Sequence, residues 1–328
     1  MYRVRLFQPS SEEYEAAVRV RRAAWPDGRH TTAAEWRSND AEVPRGALFQ
    51  RVVAERDGAI VAEGACYEAF WERHPETIHI EWSAHPESAA PALESLLYER
   101  LLALVAERAP AAATIATTTR EDRPERIAFL AGRRFTLQMR SPRSSLDVRA
   151  APAPDLAAIA AQQAAQGIRI LSLRELQARG PAWKQALYEL RWAITQDVPS
   201  VEPHVRPTPA EFEQQVLDDP ALDPAAWFVA ADAAQATDEG IGALVGMSNL
   251  WLNDPARERL DTGLTGVLRS YRRRGIAQAL KLHTIAFAQA LGAREITTSN
   301  EERNPMYRLN LQLGFQPLPA LLSYRRAL

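Results

Sequence analysis

The chain has 328 residues, 46% of them hydrophobic and 24% charged, and a formal net charge of −2. That is enough apolar content for two ordinary domains, and too little basic excess for nucleic acid or an anionic membrane to be expected as a partner. One cysteine, Cys66, allows neither an intrachain disulfide nor a cysteine-rich metal site, and the six histidines never fall four residues apart, so no metal is expected.

No apolar run approaches the roughly 20 residues of a membrane span. The first twenty residues are too charged for a secretory leader, which makes a cytoplasmic location the expectation. In chain order, a strand is expected from Tyr2 to Phe7, a helix around Ala34-Glu35-Trp36 and a hairpin from Phe49 to Ala62. A turn over Ser83–Ala92 then leads into a helix carrying Leu96. Next come a strand at Thr117–Thr119, a polar loop, a helix and a returning strand that begins after Phe135 and ends near Val148. The prolines of 149–155 break that strand, and residues 156–166 read as a connecting helix.

The second half repeats the first. A strand over Ile168–Leu173 matches Tyr2–Phe7, and Ala210-Glu211-Phe212 parallels Ala34-Glu35-Trp36. A hairpin formed by Trp227–Ala231 and Ile241–Gly246 parallels Phe49–Ala62. Thr117–Arg123 aligns without a gap on Thr297–Arg303, and the same offset carries Phe135 onto Phe315. The expected domains are 1–148 and 167–328, joined by a linker over 149–166.

The segment Gly266-Val267-Leu268-Arg269-Ser270-Tyr271-Arg272-Arg273-Arg274-Gly275-Ile276-Ala277 joins an apolar strand to an amphipathic helix whose face is Ile276, Leu280, Phe287 and Leu291, stopped at Gly292. Unpaired N–H groups and the positive end of the dipole at a helix start attract a polyanion. Gly275 lets the chain approach phosphates closely, and Ala277 is small enough not to clash. In the first half the corresponding turn lacks Arg-x-x-Gly-x-Ala. There Glu87 would repel phosphate, and Pro91, taken as the counterpart of Gly275, removes a donor.

Arg272-x-x-Gly275-x-Ala277 resembles the acyl-CoA pyrophosphate loop of the GNAT acyltransferases, and Asn304 to Gly314-Phe315 resembles that family's Asn…Leu-Gly-Phe ending. The resemblance implies an α/β chain with a mixed sheet, two tandem GNAT folds, of which the first is degenerate and the second binds acetyl-CoA as co-substrate. It assigns the pyrophosphate to the backbone of Arg272, Arg273, Arg274, Gly275, Ile276 and Ala277. The pantetheine arm falls to the edge of Val267, Leu268 and Arg269, and a CoA contact to Asn304, which also suits a helix N-cap before Pro305.

For the chemistry, the resemblance points to Asp261 as base; even spacing on a regular strand would put it on the face of Val267, and it equally suits the start of that strand. Asn310 stands where the family commonly has a general-acid tyrosine, and an amide supplies no proton. Tyr307, one turn earlier, is the other candidate acid. Trp192, Arg191 and Asp197 lie in the segment that would wall the acceptor pocket and could recognise a small amine; the other reading has Trp192 in the core and Arg191 with Asp197 solvated. The implied activity is transfer of an acetyl or short acyl group to a primary amine of a small molecule, by a monomer or homodimer. A non-catalytic acyl-CoA sensor is the alternative, and a tRNA-dependent transferase is disfavoured by the charge.

Overall fold

A computed structural model describes every residue except 27–30, 70–73, 75 and 237–241. Packing divides the chain into two units: residues 1–139 with 322–328, and residues 140–321. The sequence suggests a purely sequential division at 148, whereas the packing exchanges the ends. Residues 140–148 and the connecting segment fall in the second unit, and the last seven residues fall in the first.

The first unit runs β1 (Arg3–Leu6), α1 (Ser11–Ala24), α2 (Ala33–Ala41), β2 (Phe49–Arg56), β3 (Ala59–Glu68), β4 (Thr77–Ala84), α3 (Pro91–Arg108), β5 (Thr114–Arg120) and α4 (Pro124–Gly132). Its two early helices start on side-chain caps. Ser10 accepts from the Glu13 N–H, and Thr32 with Glu35 forms a reciprocal capping box. Strands β1 to β4 form an antiparallel meander, and β5 then joins β4 in parallel. That parallel pairing covers only Thr77–His79 against Thr114–Ala116, although β4 runs on to Ala84. Leu93, Leu97, Leu101 and Leu104 recur on one face of α3 and fill the core, together with Leu322 and Tyr324 of the last segment.

The second unit opens with residues 140–147 of β6 (Thr136–Asp147) and continues through α5 (Leu156–Ala164), β7 (Ile168–Ser172), α6 (Leu173–Gln177), α7 (Trp183–Thr195) and α8 (Pro209–Phe212). Then come β8 (Leu222–Ala236), β9 (Gly242–Trp251), β10 (Arg259–Val267), α9 (Ile276–Leu291), β11 (Glu295–Ser299), α10 (Pro305–Gln312) and β12 (Gln316–Ala327), the last passing into the first unit at Leu322. The strand order is β6-β11-β10-β9-β8-β7, with β10 and β11 parallel and the other pairs antiparallel. The plan of the first unit is therefore repeated, as the internal repeat requires. The β8–β9 hairpin is the one expected from Trp227, and Ile241 lies outside the described residues. Among the described residues, no helix is long and apolar enough to cross a membrane, and no cluster of His, Cys, Asp and Glu is placed to hold a metal ion.

Candidate functional site

Strand β10 stays paired with β11 only through Asp261, opposite Thr297, and its remaining residues to Val267 continue without that neighbour. The cause is a one-residue bulge: Thr262 faces Leu250 of β9, but Thr265 faces Ser248. Inside the bulge, Gly263 lies against the buried Asn249 amide and the Trp251 indole nitrogen, where a Cβ would collide with both. The Asn249 side-chain oxygen accepts from the Leu264 N–H at 3.0 Å, replacing the ladder bond that the bulge breaks.

The bulge also overturns the expectation for Asp261. Opposed residues share a face, and the partners of Asp261 and Val267 on β9 are Trp251 and Gly246, an odd number apart. The two side chains therefore lie on opposite faces of the strand. Val267 packs with Ile276 and Leu280 of α9, whereas Asp261 shares its face with Gly266, which rests against Ile194 of α7. The Asp261 carboxylate accepts from the Thr297 hydroxyl and from Asn253 Nδ2 at 3.3 Å.

The strand ends at Val267, one residue into the edge expected for pantetheine. Leu268 donates its N–H to the Val245 carbonyl, and Arg269–Tyr271 form a 3₁₀ turn. Arg273 (φ 66°) and Gly275 (φ 75°) are both left-handed, with Gly275 at the N-cap of α9. For arginine this conformation is unfavourable, so the loop is held rather than merely permitted. The first helical N–H to find a backbone acceptor is that of Ala279, on the Gly275 carbonyl. Among the described residues, the six N–H groups from Arg273 to Gln278 meet no backbone acceptor, which makes an anion nest at the positive end of a helix.

Three groups of contacts hold this loop. Arg274 donates to the Gln166 carbonyl at 2.7 Å, while the Gln163 and Gln166 amides donate to the Arg274 carbonyl at 3.4 and 3.3 Å. Tyr271 donates to Asp232 at 2.7 Å. Asp197, just after α7, accepts from both Arg269 and Arg272, and Arg272 Nε also donates to the Val267 carbonyl at 3.0 Å. The Arg269 hydrogen bond, then Arg272, holds the Asp197 carboxyl below its ordinary range against the opposing effect of burial. Asp197 is thus not simply solvated; it ties down Arg269 and Arg272. Sequence reasoning missed Gln163 and Gln166 because 156–166 reads as a spacer; Gln163 is in the last turn of α5 and Gln166 in the turn that follows it.

The α10 candidates separate. Asn304 caps α10, its side-chain oxygen accepting from the Met306 N–H at 3.0 Å, in keeping with the N-cap reading. Tyr307 is half-buried in the first turn. Asn310 is fully buried, and its amide donates to Asn300 Oδ1 at 2.7 Å, fastening α10 to the loop after β11. The Asn310 side chain is therefore a structural tie, not a group presented at an open surface.

The first unit differs at the same point of the plan. Its helix begins with Pro91 at the first helical position after an extended Ala90 (φ −152°), so the residue in the place of Gly275 is Ala90 rather than Pro91. Arg126 lies 4.1 Å from the Trp82 ring centroid and donates to the Trp82 carbonyl at 3.4 Å, along the part of β4 that β5 leaves unpaired. Glu87 is exposed.

Residues 184–315 match the profile of the Acetyltransferase (GNAT) family. The second half is a GNAT domain. Solved structures extend the likeness to the whole length as a fold. A GCN5-related N-acetyltransferase from Sphaerobacter thermophilus aligns with a TM-score of 0.74 at 18% identity, covering 99% of this chain and 95% of that one. A tandem GNAT protein from the clavulanic acid biosynthesis pathway aligns with a TM-score of 0.70 at 16% identity, over 100% and 98%. The fold is thus that of tandem GNAT proteins, mixed α/β in both halves. No curated protein matches the sequence.

Proposed function

We propose that the second GNAT domain binds acetyl-CoA, or another short acyl-CoA, and transfers the acyl group to a primary amine of a small molecule. The observation that carries this reading is the run of six unaccepted N–H groups from Arg273 to Gln278, flanked by Arg269 and Arg272, beside the open end of β10. Pyrophosphate would take that nest, and the pantetheine amides would lie along the edge that β11 leaves free, as an added strand does. Asp261, on the α7 side of β10, is the candidate base that removes a proton from the attacking amine, directly or through water.

In this reading the amine nitrogen bonds to the thioester carbon, the C–S bond breaks, and the departing thiolate takes a proton from solvent or from Tyr307. The attack is direct: Cys66 is buried in the first unit with its thiol pushed up to about 11 by burial, far from a reactive thiolate. Arg191, one turn before Ile194 on α7, is a half-buried cation with no carboxylate partner among the described residues, and suits an acceptor that carries its own carboxylate. The buried Asn310 favours a second reading, acyl-CoA binding without turnover.

Free thiol release from acetyl-CoA over an amine panel separates these readings, and calorimetric titration tests what they share. One molecule of acetyl-CoA per chain is expected. Arg272→Glu and Gly275→Pro should each weaken it by about tenfold or more, since each charge-assisted hydrogen bond lost is worth about 1.5–3 kcal/mol. Two equivalent sites, or unchanged affinity in folded variants, would sink the assignment.

A further inference from the structure

The first unit contains a cavity of about 460 Å³, within the range that holds small ligands. It is lined by the end of α1, the end of β4, the start of α3 and the junction of β5 with α4. Three of its lining residues carry a buried donor without a partner among the described residues: the hydroxyl of Thr119, which is 3% exposed, Nε of Arg123, and Nε1 of Trp82. Buried donors are rarely left so. Nor are they loose, since Arg123 is fixed by donating Nη2 to the Ala24 carbonyl at 2.9 Å and by lying 4.7 Å from the Trp25 ring centroid.

The charges on the wall define what fits. Arg126 is paired with Glu94, and the remaining carboxylate, Glu125, is exposed. Arg123 is the lining cation left without a carboxylate among the described residues. Much of the remaining lining is apolar, contributed by alanines, prolines and Leu97. A dianionic phosphate would meet one cation where it needs several, and a CoA arm would meet Arg126 on the β4 edge. A single negative charge spread over two oxygens on an apolar body suits the Thr119 and Arg123 donors.

We propose that this cavity binds a small organic monocarboxylate, its oxygens accepting from Arg123 Nε and the Thr119 hydroxyl and its hydrocarbon part lying against the alanine and proline wall. The site is separate from the acyl-CoA nest and does not rest on the function assigned there.

Calorimetric titration of the full chain with 3-phenylpropionate and 4-methylpentanoate, each beside its primary amide, tests it. Trp25 and Trp82 line the cavity, and their fluorescence gives a second readout. One site per chain is expected for the acids, with the amides at least about tenfold weaker. Thr119→Val, which keeps the shape and removes the hydroxyl, should cost the acids about tenfold while acetyl-CoA affinity stays within about twofold. Arg123→Gln should do the same. The proposal is overturned if neither acid binds up to about 10 mM, if acid and amide bind alike, or if acetyl-CoA displaces the acid. The acid–amide contrast holds even if Arg123→Gln fails to fold.

Discussion

At the scale of single residues, the loop proposed to take phosphate is held under an internal anion. Asp197 occupies the guanidinium groups of Arg269 and Arg272, which an incoming pyrophosphate would also claim. Both arginines are exposed, so solvent screening leaves each pair worth little. Asp197→Asn should therefore tighten acetyl-CoA by up to about fivefold, with a steeper dependence on salt. Calorimetry at two ionic strengths measures both, and looser binding would mean that Asp197 aligns the arginines rather than competing with ligand. Elsewhere Lys281 is 2% exposed, 5.3 Å from the Phe315 ring centroid, and burial lowers its pKa from 10.5 to about 8. Below pH 8 the amine is charged in both folded and unfolded chains, and the burial penalty is fully present. Between pH 8 and 10.5 the unfolded chain holds more protons, so stability rises with pH. Lys281→Met should stabilise the second unit near pH 7 by up to about 3 kcal/mol, a gain that fades towards pH 10.5; urea unfolding at several pH values checks it.

At the scale of elements, the bulge in β10 decides where the site opens. Gly263→Ala would push Asn249 away and strip the Leu264 N–H of its acceptor. A stability loss of about 1–3 kcal/mol is expected in denaturant unfolding, together with weaker acetyl-CoA binding as the free edge of β10 shifts. Unchanged binding would show that the edge does not depend on the bulge. The same element marks what the sequence conceals. The strand, the turn and helix α9 were legible because hydrophobic period and glycine placement are local signals, and the 180-residue offset made the duplicated plan legible too. The face of Asp261 was not, since a bulge reverses the parity that strand counting relies on. Nor was the partner of Asp197, 72 residues from Arg269, because ion pairs between distant segments leave no periodic trace. Asn310 was legible as a departure from the family pattern, and only its complete burial reveals that it braces the loop at Asn300.

At the scale of the molecule, each unit completes its sheet with a strand from the far end of the other half's sequence. Leu322 and Tyr324 are buried in the first core, Leu328 donates its N–H to the Ala113 carbonyl, and Arg326 donates to the Tyr98 hydroxyl. Removing residues 322–328 should therefore unfold the first unit, the rest of which is residues 1–139, and spare the second. Hydrogen exchange resolved along the sequence would show protection lost over α3 and β5 but kept over α9 and β11; loss in α9 alone would contradict the exchange. The arrangement also sets an order on synthesis. A ribosome adding about 5–20 residues per second delivers all of residues 140–321 before the first unit receives its last strand. The earlier half is thus completed after the later one, with the Ala113 carbonyl at its sheet edge waiting on residues 322–328 to emerge.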